Sequence, residues 1–307
     1  MIHPHRIGLP VLAAALLLQP RPARALPEAA AAAGRALAAK YADAIISVEV
    51  VATLKITIGD RTMPAQEVKQ EPNGTVISAS GLTVTSLSQI DPRATIEAAL
   101  RARGQRAEIG DTVYKEVKLR QADGTEVAAR VVLKDPDLDL AFVAPTLEGA
   151  AATKPFAYVN LDDAAPAQVL ADYFYVTRAS KALQRVPLVN AVEFQGIDPK
   201  PRLIYIVGGA APGCPVFNPQ GKILGIGLFQ INNGRPTPPP IVMPAADVAD
   251  EAKQAAAAAA KPPPEPVPTD DADQGAAPAS VPPTVSPASA PATAPAAPAA
   301  APTKPPM

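Results

Sequence analysis

The sequence is poor in the side chains that most often carry enzyme chemistry at neutral pH. Its 307 residues include two histidines, one cysteine and no tryptophan. Both histidines, His3 and His5, stand at the extreme N-terminus, so none remains for a site in the body of the chain. The single cysteine, Cys214, permits no intramolecular disulfide, and this set of residues lacks the ligands of an ordinary zinc site. We therefore expect no metal and no cofactor.

The first 25 residues have the composition of a secretory signal. Arg6 precedes an apolar run from Ile7 to Leu18, and small residues at positions 23 and 25 suit a cleavage site. We predict cleavage before Leu26, with export to the periplasm or cell envelope, or secretion. An uncleaved anchor is the alternative, but the run of about 12 apolar residues is short of the roughly 20 that span a membrane. We expect no membrane span after cleavage.

The charge balance argues against polyanionic partners. The formal net charge is −1, and removing residues 1–25 takes away three arginines and no acids, which changes it to −4. A mildly acidic chain has no electrostatic reason to bind nucleic acid or anionic lipid. We therefore expect a partner that is neither nucleic acid nor a membrane surface.

The C-terminal part consists mainly of alanine and proline, with few apolar side chains of any size. Such a segment cannot bury enough surface to offset the entropy lost on ordering. We predict that residues 254–307 form a disordered, extended tether. Residues 26–253 are then right for one β-rich domain.

Short β patterns fill most of this domain. The stretch "AIISVEVVATLKITIG" is rich in β-branched residues, and hairpin turns are predicted at Asp123-Gly124 and at residues 218–221. Helical patterns are predicted at Leu26–Lys40, at Ala94–Arg103 and after Pro244. Frequent turns between short strands indicate a barrel or a sandwich.

The helical stretch in the middle of the domain is basic. Arg101, Arg103 and Arg106 lie on it or close to its end, and they could form a docking patch. A solvated helix face is the more ordinary interpretation, and it is the one we favour.

Four segments, in order, resemble trypsin-like serine proteases of the HtrA (Deg) type. "SASGLTVTSLSQI" matches the spacing of the family's histidine motif, and Ser88 occupies the histidine position. "DPDLDLAFV" resembles the aspartate motif and places Asp139 at the catalytic aspartate. "APGCPVFNPQGKILGIG" resembles the nucleophile loop and its hairpin, with Pro212 where the serine belongs. "IVMPAADVADEAKQ" resembles the family's C-terminal helix.

The resemblance covers roughly residues 41–253 and implies an all-β, trypsin-like double β-barrel with a C-terminal helix. Two departures stand out. An insertion occupies about residues 91–112, and the alanine- and proline-rich tail replaces the peptide-binding PDZ domain that often follows in the family.

The residues at the three triad positions cannot perform the family's chemistry. A Ser-His-Asp triad needs an imidazole to take the serine proton and return it to the leaving group, and Ser88 offers none. No serine occurs between residues 181 and 279, so no neighbour replaces Pro212. Proline also lacks the backbone N–H that this fold uses in the oxyanion hole. We predict no catalytic residues, with Ser88, Asp139 and Pro212 as degenerate triad positions.

Cys214 and Asp139 each allow a second interpretation. Cys214 could replace the serine if Lys181 or Lys222 activated it, but a free cysteine in such a loop is more often a small buried hydrophobe. Asp139 reads as a structural carboxylate that accepts hydrogen bonds. A calcium loop in "DPDLDL" is rejected because Thr146 stands where the bidentate glutamate belongs.

The leading hypothesis is an exported, catalytically inactive trypsin-like protease homologue. It would act as a peptide- or protein-binding or scaffold domain in the cell envelope. Two alternatives remain open: a peptidase or other hydrolase with a non-standard active site, and a structural envelope protein on another β fold.

Overall fold

The computed structural model describes residues 26–151 and 154–262 of the chain. Strands dominate this part, in agreement with the predicted fold class. In chain order they are β1 Ile45–Ile58, β2 Arg61–Gln70, β3 Asn73–Val76, β4 Thr83–Ser86, β5 Ala107–Ile109, β6 Val113–Arg120, β7 Glu126–Asp135, β8 Leu140–Pro145, β9 Asp172–Arg178, β10 Pro187–Asp198, β11 Ile204–Val207, β12 Pro215–Phe217, β13 Ile223–Asn232 and β14 Arg235–Pro244.

Helices are fewer and lie mainly at the ends of the domain and near the insertion. They are α1 Glu28–Tyr41, α2 Leu87–Ile90, α3 Arg93–Ala102, α4 Leu147–Ala151 and α5 Ala245–Ala259. In the described part, no helix is both long and apolar enough to cross a membrane.

Six strands close a first barrel in the order β1-β3-β4-β8-β7-β6, and β6 pairs back to β1. Strand β1 can close the ring because it is 14 residues long. Its first residues pair with β3, with Ile45 opposite Thr75, and the next residues pair with β6, with Val50 opposite Val117. Successive side chains of a strand alternate between its two faces, and Ile46 points into the barrel core, fully buried.

Strand β1 continues past the barrel as a two-stranded ribbon with β2. Strand β5 lies along the last three residues of β1. Strand β2 is exposed along most of its length. It was not predicted from the sequence because it buries no apolar face and so lacks the alternating pattern of a core strand.

The other six strands form a second closed barrel in the order β10-β11-β14-β13-β12-β9. Phe194 is fully buried in its core, with its ring centroid 5.6 Å from that of Tyr173 and 5.4 Å from that of Tyr205. Strand β14 was also missed, because its sequence RPTPPPIVMP contains prolines that cannot donate to a ladder. It pairs with β13 on both sides of residues 238–240, where the register shifts.

The two barrels pack through one apolar cluster that both chain ends of the domain complete. Phe142 from β8 and Phe174 from β9 are fully buried there. Helix α1 lies against Phe174 at Gly34, where a Cβ atom would come within 3.0 Å of the ring. Tyr41, at the end of α1, stacks on Phe217 with ring centroids 4.4 Å apart.

Helix α5 corrects the predicted domain boundary. The helix continues to Ala259, six residues past the predicted end at residue 253. Alanine has the highest helix propensity, Ala255 is fully buried, and Arg130 of β7 donates to the carbonyl of Ala259 at 3.0 Å. The predicted signal and the predicted tail from residue 263 onward lie outside the described residues.

Candidate functional site

Asp139 lies in the turn that joins β7 to β8, in the left-handed region with a φ of 58°. The turn is shaped by Asp135, whose carboxylate accepts the backbone N–H groups of Asp137 and Leu138, each at 3.0 Å. Aspartate tolerates a left-handed backbone better than most residues. The backbone partners of Asp135 are separate from those of Asp139, which are Ser88 and Phe229. In the described part, no three His, Cys, Asp or Glu residues are placed to hold a metal ion.

The Asp139 carboxylate links the two barrels. It accepts the Ser86 hydroxyl at 2.6 Å, the backbone N–H of Ser88 at 2.7 Å and the backbone N–H of Phe229 at 2.9 Å. Ser86 and Ser88 belong to the first barrel's side of this junction, whereas Phe229 belongs to β13 of the second. Burial raises the pKa of Asp139 above its usual value, although these donors act in the opposite direction.

Ser88 lies in the first turn of α2, beside Asp139. Its hydroxyl is 3.2 Å from the hydroxyl of Ser86, which in turn donates to Asp139. Sequence reasoning singled out Ser88 but missed Ser86 and Phe229. Ser86 is the last residue of β4 and is fully buried, and a polar residue in that position could have been noticed as a candidate partner for a buried acid.

The loop that carries Pro212 is held in place by hydrogen bonds of Gly213 and Gly227. The N–H of Gly213 donates to the carbonyl of Gly227 at 2.8 Å, and Gly227 donates to Cys214 at 2.9 Å. Thr75 donates its hydroxyl to the carbonyl of Gly213 at 2.7 Å. Gly213 has a φ of 75°, and a Cβ atom there would meet the carbonyl oxygen of Asn73 at 2.3 Å. Glycine is therefore required at this position.

The structure brings Ser88 and Asp139 into one cluster, and the loop that carries Pro212 packs against the strand that leads into this cluster. Gly213, the residue after Pro212, packs on Thr85 of β4, one residue before Ser86. Gly227, which pairs with this loop, is two residues from Phe229. Pro212 itself is half-buried and has no N–H to donate.

Cys214 is fully buried in the apolar cluster between the barrels, with its sulfur 3.2 Å from the hydroxyl of Thr177. Burial raises the pKa of this thiol to about 12, so it is protonated at neutral pH. Neither lysine that could activate this thiol is placed to do so. Lys222 forms an ion pair with Asp163, and Lys181 lies on an exposed turn.

Two cavities lie in the cleft near Asp139, which lines the first of them. The first cavity, of about 390 Å³, is lined among others by Ser88, Asp139, Asp91, Arg93, Glu97 and Ile231. The second cavity, of about 380 Å³, is lined among others by Asp137, Lys200, Arg202, Phe229, Ile231 and Met243. Ile231 of β13 lines both, so the outer edge of this strand runs between them.

The insertion supplies one wall of the first cavity. Its two ends are tied together because Thr112 donates to the buried carboxylate of Asp91 at 2.6 Å. Burial acts to raise the pKa of Asp91, but hydrogen bonds from Arg93 and Thr112 outweigh it and lower the pKa below its usual value. Helix α3 is thereby fixed over the cavity, while Arg101, Arg103 and Arg106 are exposed, in agreement with the solvated-face interpretation.

Two closed β-barrels with an aspartate cluster in the cleft between them define a trypsin-like architecture. Residues 72–226 match the family model described as a trypsin-like peptidase domain, and the chain belongs to that family. The trypsin-like fold expected from the resemblance is confirmed.

Two solved structures are similar to this chain. One is the MamO protease domain from Magnetospirillum magneticum in its apo form, 16% identical, with 69% of this chain and 97% of that chain covered and a TM-score of 0.41. The other is Deg5, 18% identical, with 74% of this chain and 94% of that chain covered and a TM-score of 0.47. No curated protein matches the sequence.

Proposed function

We propose that this domain is an exported, catalytically inactive homologue of the trypsin-like peptidases. It binds an extended peptide or protein segment in the cleft between its barrels and serves as a binding or scaffold domain in the cell envelope. The observation that carries the proposal is that Ser88, and not a histidine, is hydrogen-bonded to Asp139, in a chain whose only histidines are at positions 3 and 5.

The missing base is decisive for the proposed inactivity. A serine hydroxyl cannot take a proton at neutral pH as an imidazole does, and Asp139 has no imidazole to orient. Asp139 instead accepts hydrogen bonds from both barrels, which gives the carboxylate a structural role.

The missing nucleophile supports the same conclusion independently. Pro212 has neither a hydroxyl nor an N–H for an oxyanion hole, whose loss alone costs about 10²- to 10³-fold in rate. Cys214 is not a substitute, because its thiol is fully buried and its pKa is about 12. Removing base, nucleophile and donor together leaves no route for acyl transfer by the family's mechanism.

The outer edge of β13 supports peptide binding. The two-residue turn at Asn233-Gly234 makes Asn232 and Arg235 a hydrogen-bonded pair, so the alternation of an antiparallel ladder turns Ile231 away from β14. Strand β12 covers β13 only from Ile223 to Ile226. The N–H and C=O of Ile231 are thus placed to pair with an added strand, with one cavity on each side for its side chains.

Export and tethering complete the proposal. They are supported by the signal-like composition of residues 1–25 and the proline density of the tail. We expect Leu26 as the mature N-terminus in envelope fractions. Mass spectrometry that finds residues 1–25 still attached there would contradict the export part of the proposal.

The function is tested by two measurements on the purified chain. An active-site-directed fluorophosphonate probe should leave the protein unlabelled, and covalent labelling would overturn the proposed inactivity. A peptide array should yield binders, and Ile231→Pro should abolish their binding because it removes the edge N–H. Ile231→Val, which keeps that N–H, is the matched control, and equal binding by both variants would contradict strand addition.

A further inference from the structure

The Asp139 carboxyl group is buried, and only neutral groups contact it. It is 1% exposed, and its partners are one hydroxyl and two backbone N–H groups. Among the described residues, no lysine or arginine lies within ion-pair distance of it. A buried carboxylate is costly without a cation, and its oxygens offer about four acceptor positions, of which these donors occupy three. The Ser88 hydroxyl is also close enough to lower the pKa of Asp139, but it can donate to the Ser86 hydroxyl, 3.2 Å away, and leave the fourth position open. The site therefore has room, electrostatically and geometrically, for one cationic donor.

The first cavity provides the space for such a donor. Ser88 and Asp139 both line it, and a serine leaves free the volume that a larger side chain at position 88 would fill. The other charged groups that line it are Asp91, Arg93 and Glu97. Arg93 is committed to the buried carboxylate of Asp91, at 2.7 Å, and Glu97 pairs with Arg101. These two ion pairs offset each other's charges, so Asp139 is the carboxylate of this lining without a cationic partner, and the balance is negative.

The second cavity has the opposite balance. Lys200 and Arg202 line it together with Asp137, and the rest of its lining is largely apolar. A cation in the cleft is thus favoured at the Asp139 end and opposed by two basic side chains at the other. The two cavities therefore differ in the sign of their charge balance.

We propose that the first cavity binds a cationic side chain, lysine or arginine, of the peptide that occupies the cleft, with Asp139 as its counter-charge. This inference rests on the proposed function and names the partner's chemistry at that same site. The cationic group takes the fourth acceptor position of the carboxylate, while the aliphatic stem packs on Ala94, Ala107 and Ile109 of the insertion.

The test uses small probes on the full chain. n-Butylammonium reproduces the end of a lysine side chain, and 1-butanol is its uncharged counterpart. At constant ionic strength, n-butylammonium should produce saturable NMR shifts of the Ser88 and Phe229 amide signals, because both amides donate to Asp139. 1-Butanol should not, and the amide of Gly124, in a remote hairpin, should not respond to either. Equal shifts with both probes, or no saturable shift at the two amides, would overturn the proposal.

Three variants locate the binding. Asp139→Asn should weaken n-butylammonium binding by at least about tenfold, because a hydrogen bond to a charged group is lost. Ala94→Phe should abolish binding by filling the cavity without touching Asp139, which keeps the test valid if Asp139→Asn does not fold. Asp250→Asn, an exposed carboxylate on α5 that pairs with Lys253 and lines neither cavity, is the matched control and should change affinity by less than about twofold. Undiminished binding by Ala94→Phe would place the cation elsewhere and refute the proposal.

The peptide array separates this inference from the function on which it rests. Binders enriched in lysine or arginine, with that enrichment lost in Asp139→Asn, support both. Binders without any basic preference refute the cation site and leave the peptide-binding function standing. Saturable n-butylammonium binding with no peptide binder supports the site and refutes the function.

Discussion

The Asp139 cluster and the Pro212 loop are both held by hydrogen bonds, but only the loop also depends on a close approach between backbones. Asp139 is held by hydrogen bonds that join the end of β4 to β13. The Pro212 loop is held by hydrogen bonds of Gly213 and by close packing, because a Cβ atom at position 213 would meet the carbonyl oxygen of Asn73 at 2.3 Å. Asp139 and Gly213 are thus both fixed by contacts across the cleft, Asp139 through donors to its side chain and Gly213 through the lack of space beside its backbone.

The largest effect should come from the Pro212 loop. Gly213→Ala forces a Cβ atom to within 2.3 Å of a backbone oxygen at a φ of 75°, and we expect a loss of about 4 kcal/mol in unfolding free energy. Urea denaturation measures it. Gly124→Ala is the matched control, since Gly124 has a φ of 88° but nothing within 4 Å, and its cost should be about 1 kcal/mol. Equal costs at the two glycines would mean that close packing does not hold the loop.

The aspartate cluster should come next. Asp139→Ala leaves three buried donors without an acceptor, and we expect a loss of about 3 kcal/mol in unfolding free energy. Thermal and urea unfolding of the variant measure it. A loss below about 1 kcal/mol would contradict the structural role given to this carboxylate, because each unsatisfied buried donor alone costs about that much.

The two serines beside Asp139 sharpen the comparison within the cluster. Ser86→Ala removes a fully buried hydroxyl that donates to the carboxylate and should cost about 1 kcal/mol. Ser88→Ala keeps the backbone N–H that binds Asp139 and should cost less than about 0.5 kcal/mol. A reversed order in urea denaturation would show that the Ser88 side chain, and not its backbone, carries the interaction.

The last and smallest effect concerns the chemical reactivity of the Cys214 thiol in this loop. A rise in the pKa of Cys214 from 9.0 to about 12 lowers its thiolate fraction at neutral pH about a thousandfold relative to an ordinary cysteine. Iodoacetamide should therefore leave the native protein unmodified over a period in which the urea-unfolded chain reacts fully. Comparable rates in the two states, measured by mass spectrometry, would contradict the burial of this loop.

Local patterns predicted much of the fold. The β-branched run of β1, the Asp123-Gly124 turn and the helical pattern after Pro244 all appear at the expected places, because each depends on residues close in sequence. Strands β2 and β14 were missed because their formation depends on residues that are distant in sequence. The first is mostly exposed and the second is rich in proline, so each is specified by its partner strand and not by its own composition.

The sequence by itself determined that no histidine follows His5 and that no serine stands between residues 181 and 279, because no fold can supply a residue type that the chain lacks. It also singled out Asp139 and the loop around Pro212 from motif spacing. Only the tertiary structure decided what Asp139 does, since Ser86 and Phe229 reach it from 53 residues before and 90 residues after it in the chain. The same is true of the cleft and its insertion wall. Cavities form where distant elements meet, and their shape and charge follow from that packing and from no local pattern.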